Sequence, residues 1–132
     1  MFILYYFLIS FSLIGYGCLF SKILKLDFNN YGFLGLLGIT LSITISYVSS
    51  IFFIHNYIFN SIFLIFGILS FIFYLKKNLN YKKNIYYNFV IFLILLVFIF
   101  VRKNHDDFGY YHFPYSYLLT QMEHPVGIGL LN

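Results

Sequence analysis

Charge is what this sequence has least of: only 9% of its 132 residues are Asp, Glu, Lys or Arg, and just four of these are acidic. A soluble domain ordinarily carries about 25% charged residues. A chain this poor in charge cannot clothe its surface in solvated groups, which excludes a soluble globular fold for most of its length. There is one cysteine, Cys18, so an internal disulfide and a thiolate-rich metal cluster are both excluded. The two prolines, Pro114 and Pro125, lie late in the chain, so no ring breaks a helix in the first hundred residues. Tryptophan is absent. Tyr is therefore the only residue left with both an aromatic ring for lipid and a polar tip for headgroup depth.

What fills the chain instead is hydrocarbon. Hydrophobic residues make up 61% and aromatics 25%, from 19 Phe and 14 Tyr, and the mean hydropathy is +0.86. These values point to an integral membrane protein. The formal charge of +4 would fit a nucleic-acid partner in a soluble protein, but here the eight basic residues sit in short clusters between apolar runs. That is the pattern of membrane topology signals and not of a phosphate-tracking groove, so no nucleic acid is expected.

A bilayer core of about 30 Å needs roughly 17–25 apolar residues in helical form. Four runs qualify or nearly do, over about 1–20, 33–54, 57–75 and 86–101, the last short but unbroken. A lone strand cannot satisfy its backbone in hydrocarbon, and the alternation of a barrel is missing. The expected class is therefore an all-α membrane fold with four transmembrane helices. Residues 1–101 form the transmembrane region and 102–132 a juxtamembrane segment.

Six of the eight basic residues lie between the first and second runs (Lys22, Lys25) or the third and fourth (Lys76, Lys77, Lys82, Lys83). The positive-inside rule places those linkers in the cytoplasm. The N-terminus, the His55-Asn56 turn and residues 102–132 then lie on the non-cytoplasmic side. Arg102 and Lys103 run against that rule. In the second run Gly35, Gly38, Ser42, Ser46 and Ser49 recur at steps of three and four, a smooth face suited to close helix contact. No charged residue falls inside any of the four runs, which argues against ion-coupled transport.

Polar chemistry concentrates after residue 101, where three of the four acidic residues and three of the four histidines are found. His105, Asp106 and Asp107 come first and His112 follows five residues on. Pro114 suits the first turn of a helix, and Tyr115, Leu118, Leu119 and Met122 share one face at helical spacing. This predicts a short amphipathic helix over about 114–124, lying in the membrane interface.

A juxtamembrane acidic pair in an outer loop, followed by aromatics and a short interfacial helix, resembles glycosyltransferase superfamily C. More narrowly, the stretch from His105 to Tyr115, together with Pro125-Val-Gly-Ile-Gly-Leu-Leu-Asn132, is similar to a family of uncharacterised bacterial multi-spanning membrane proteins. In that family an Asp-rich stretch runs into Tyr-His-Leu-Pro, and a Gly-rich stretch ends in Leu-Asn. The superfamily's acidic loop usually follows the first span, whereas here it follows the fourth run, and its members have more spans.

The resemblance implies an enzyme that moves a sugar from a polyprenyl-phosphate carrier to an acceptor. Asp106 or Asp107 would be the general base, and His105, His112, Arg102 and Lys103 would contact the lipid phosphate. It further implies that the chain is the N-terminal portion of a longer protein, and the apolar run Val126–Leu131 leads on without a polar ending. Two other readings stand beside it. One is a non-catalytic scaffold or partner subunit docking another protein; the other is the binding or export of a divalent metal through His105, Asp106, Asp107 and His112.

Overall fold

Helix starts and stops in this chain are set by a few polar groups between long apolar stretches. The computed structural model describes residues 2–26, 30–77, 79–100 and 106–124. Among these residues there are five α-helices and no strand: α1 (Phe2–Ile23), α2 (Tyr31–Ser50), α3 (Tyr57–Lys77), α4 (Leu79–Phe100) and α5 (His112–Gln121), with a 3-10 turn at Asp106–Phe108 before α5. Asn30 opens α2, its Oδ1 accepting the Gly32 N–H at 2.8 Å. Asn56 opens α3 in the same way, accepting the Phe59 N–H at 3.0 Å. Both are favoured N-cap residues because the side-chain oxygen satisfies a backbone donor that has no partner in the first turn.

The exit from α1 is a Schellman motif. The Leu26 N–H reaches the Ser21 carbonyl at 2.9 Å, and the Lys25 N–H reaches the Lys22 carbonyl at 3.2 Å. Lys25 occupies the left-handed position, φ 55°, that glycine normally fills. The Ser21 hydroxyl donates to the Leu26 carbonyl and closes the same turn.

Two boundaries depart from expectation. The second helix ends at Ser50 and not Ile54, because the Ser49 carbonyl accepts the N–H groups of both Phe52 (3.1 Å) and Phe53 (2.8 Å) and turns the chain. The fourth helix begins at Leu79 and not Tyr86, taking Lys82 and Lys83 into its first turns. Lysine is a good helix former, so the basic linker had no need to be irregular.

α1, α2 and α3 are long and apolar enough to cross a membrane. Many of their large side chains face outward, among them Ile43 (64% exposed) and Phe66 (56%). Such faces need lipid as their solvent.

The chain divides into two compact units, 1–42 with 64–102 and 43–63 with 103–132, a division that cuts through α2 and α3 and falls again after residue 102. In the first unit, α1 meets its neighbours at glycines. A methyl group at Gly38 would collide with the Leu13 carbonyl, one at Gly17 with that of Leu34, and one at Gly15 with that of Gly67. These pairings run α1 antiparallel to α2 with backbones in contact, the approach that small residues allow. Gly35, on the same predicted smooth face as Gly38, has nothing within 4 Å of a built Cβ. The buried core around the crossings comprises Ile14, Cys18, Tyr31, Leu34 and Phe71. α4 packs antiparallel to α1 through Phe89 stacked on Phe7 (5.5 Å) and Phe100 beside Phe2 (5.9 Å). The Tyr6 hydroxyl donates to the Phe92 carbonyl at 3.1 Å.

Candidate functional site

The second unit holds the acidic turn, α5 and the α2–α3 connection. Asp106 and Asp107 open the 3-10 turn. The Asp107 carbonyl accepts the N–H groups of Tyr110 (3.2 Å) and Tyr111 (2.9 Å), so two local bonds fix the backbone that carries this carboxylate. Asp107 is exposed to solvent. The backbone of Asp106 is described and its side chain is not. His112 is the first residue of α5, also exposed, and its carbonyl accepts the Ser116 hydroxyl at 2.8 Å. Arg102, Lys103 and His105 lie outside the described residues. Among the described residues no three His, Cys, Asp or Glu side chains gather in a way that could hold a metal ion. The metal reading of this segment therefore gains no donor set from them.

α5 departs from the predicted amphipathic helix. It spans His112–Gln121 and not 114–124, with Pro114 as its third residue, where a missing N–H costs nothing. None of its residues is buried. The Tyr115/Leu118/Leu119/Met122 face is opposed by a second aromatic face, where Phe113 stacks on Tyr117 (6.4 Å, 20°) and contacts Phe108 (6.3 Å). Aromatic groups on both sides leave no single apolar stripe. At the C-terminus the Met122 N–H still reaches the Leu118 carbonyl at 3.0 Å while Met122 itself turns extended, so the helix stops before His124.

What anchors this segment is a pair of backbone bonds to the α2–α3 connection. The His55 N–H donates to the Leu119 carbonyl (3.0 Å), and the His124 N–H donates to the Ser50 carbonyl (2.7 Å). Each contributes about 0.5–1.5 kcal/mol net, and together they join stretches more than sixty residues apart. Side chains reinforce the His124 end. His124 Nδ1 lies 2.8 Å from the Tyr115 hydroxyl, and its ring lies 5.8 Å from that of Tyr47.

His55 is in the turn, as the sequence indicates, but it is buried and not a surface residue. Its ring stacks on Phe59 at 4.4 Å and 12°. Nε2 lies 2.9 Å from the Ser49 hydroxyl, and its carbonyl accepts Asn60 Nδ2 at 2.8 Å. Burial disfavours the imidazolium and holds the His55 pKa below its usual 6.5. Sequence reasoning passed over His55 and His124 as positioning residues because their anchoring bonds are made by main-chain donors, which any residue but proline carries. The arrangement thus presents a carboxylate on a short fixed turn, with exposed aromatics beside it and a two-point anchor behind it. Comparison with protein-family models, curated proteins and solved structures finds no match to this chain.

Proposed function

We propose that this is a multi-pass membrane protein in which α1 to α4 all cross the bilayer, with the N-terminus and residues 102–132 on the non-cytoplasmic side of a bacterial plasma membrane. The apolar stretch 89–100 of α4 lies alongside the first half of α1, which supports a fourth span. The bonds from His55 to Leu119 and from His124 to Ser50 support one side of the membrane for the α2–α3 turn and the acidic segment.

Within that topology the favoured activity is that of a glycosyltransferase-C-like enzyme using a polyprenyl-phosphate-linked sugar. The observation that carries it is the exposed Asp107 on a turn fixed by two backbone bonds and anchored through α5 to the end of the α2–α3 hairpin. A lipid-linked donor presents its phosphate and reacting carbon at membrane-surface depth. In the step proposed, the acceptor oxygen bonds to the anomeric carbon as the bond from that carbon to the phosphate oxygen breaks. The carrier phosphate leaves with the electron pair, and the acceptor's proton passes to Asp107 or Asp106. A general base must lie within about 2.6–3.2 Å of the group it deprotonates. His105, His112, Arg102 and Lys103 are the groups proposed to meet the phosphate charge.

The test is transfer from a lipid-linked sugar in membranes containing the protein, comparing wild type with Asp106→Asn and Asp107→Asn at matched membrane levels. At least one variant should lose about two or more orders of magnitude in rate, the low end for removing general base catalysis. Wild-type rates in both would end the enzymatic reading.

A second reading, a non-catalytic scaffold or partner subunit, draws on the exposed rings of Tyr110 (82% exposed) and Tyr111 (70%) in the same segment. It places the sensitivity on those rings, leaving both Asp→Asn variants silent.

A further inference from the structure

Past the contact of Gly15 with Gly67, α1 and α3 leave a cavity of about 670 Å³, lined by apolar Leu19, Leu69, Ile72 and Phe73, by Ser70 and Tyr74, and by Lys22 and Lys76. Small-molecule sites run to about 300–1,000 Å³. Both lysines sit at the C-terminal ends of their helices, where positive charge also complements the helix dipole. A dipole or topology role requires only that each lysine be near its own helix end. It does not require the two to converge on one space. Both line it, and among the described residues no acidic side chain joins them there and neither lysine makes an ion pair.

We propose that this cavity binds an anionic phospholipid, its phosphodiester between the ammonium groups of Lys22 and Lys76 and an acyl chain along Leu69, Ile72 and Phe73. The chemistry sought is amphiphilic. Two cations call for an anionic group between them, and the wall beneath them is mostly hydrocarbon: of its two hydroxyl residues, Ser70 and Tyr74, Ser70 already donates to the Phe66 carbonyl at 2.8 Å. Leu69 (58% exposed) and Phe73 (64%) are open to the surrounding lipid, so a chain can lie against them without leaving the bilayer. Basic pockets between helix ends are a recurring site for acidic headgroups. The inference does not rest on the transferase reading.

The experiment measures retention of phosphatidylglycerol and of phosphatidylcholine by the purified full chain, using native mass spectrometry from mild detergent. With two lysines each favouring an anionic headgroup, preference for phosphatidylglycerol should be about thirtyfold at low salt. Lys22→Gln combined with Lys76→Gln should abolish it, and Arg at both positions should keep it. Ser70→Phe, which fills the cavity while leaving both charges, should also abolish it. Equal retention of the two lipids by wild type would overturn the proposal. So would unchanged preference in the Gln double variant, or in Ser70→Phe, which would indicate general surface charge. Displacement of the lipid by excess inorganic phosphate would point to a soluble anion instead, and would overturn it too.

Discussion

Gly35 and Gly38 stand three residues apart on one helix and were expected to share one packing face, yet the same substitution should affect them in opposite directions. At Gly35 an added methyl meets nothing within 4 Å. Ala is about 1 kcal/mol better than Gly in a helix interior, so Gly35→Ala should be neutral or stabilising by up to that amount. At Gly38 the methyl would strike the Leu13 carbonyl oxygen and carbon and come within 3.0 Å of the Gly17 nitrogen. All three atoms are backbone, so no side-chain rotation can relieve the clash, and α1 and α2 must separate along their crossing. Overpacking of this kind costs about 1–3 kcal/mol. Loss of the close Cα–H···O approach adds about 0.5–1 kcal/mol. The propensity gain is common to both sites and cancels, so Gly38→Ala should be less stable than Gly35→Ala by about 1.5–4 kcal/mol. Equilibrium unfolding of the full chain in mixed micelles, titrated with a denaturing detergent, measures that difference. If the two variants agree within about 0.5 kcal/mol, the scale of ordinary neutral substitutions, the close α1–α2 crossing is wrong.

The buried His55 makes the anchoring of α5 dependent on pH. Its folded-state pKa is lowered below 6.5, so the unfolded or undocked form binds the proton more readily. The stabilisation is present above pH 6.5 and is lost as pH falls below it towards the folded pKa, with a slope of at most ~1.4 kcal/mol per pH unit. Protease cleavage within 106–124 should therefore accelerate below pH 6.5 in wild type, normalised to an unstructured peptide, and not in His55→Asn; equal pH profiles would remove the role given to His55. Lys25→Gly addresses the end of α1. A non-glycine residue in the left-handed region costs roughly 1–2 kcal/mol, partly offset by glycine's greater freedom when unfolded. The variant should gain about 0.5–1 kcal/mol in the same micelle titration, and a loss would contradict the Schellman geometry.

The features legible in the sequence are those that repeat or that act locally. Apolar runs longer than a bilayer is thick give the helices, and Asn30 and Asn56 mark where two of them start. Gly38 belongs to a spacing pattern that does mark a contact, but the pattern alone could not distinguish it from Gly35. That distinction depends on where the Leu13 carbonyl lies, which the register of α1 against α2 decides. Gly15 and Gly67 were missed as a pair for the same reason: Gly67 is the single glycine of α3, and Gly15 has a glycine two residues on, not at the three- or four-residue step of a helix face. At the candidate site, the sequence singles out Asp106, Asp107 and His112 by their scarcity in a chain with so little charge. It does not reveal what holds them. The anchor is made by the main-chain N–H groups of His55 and His124 and the carbonyls of Leu119 and Ser50, and these groups have no residue-type signature. Burial of His55 goes with Phe59 stacked on its ring and the Ser49 hydroxyl at Nε2, both from its own hairpin. A side chain that reads as a turn residue at the membrane surface is thus buried by its own hairpin, while its main-chain N–H holds a stretch more than sixty residues away.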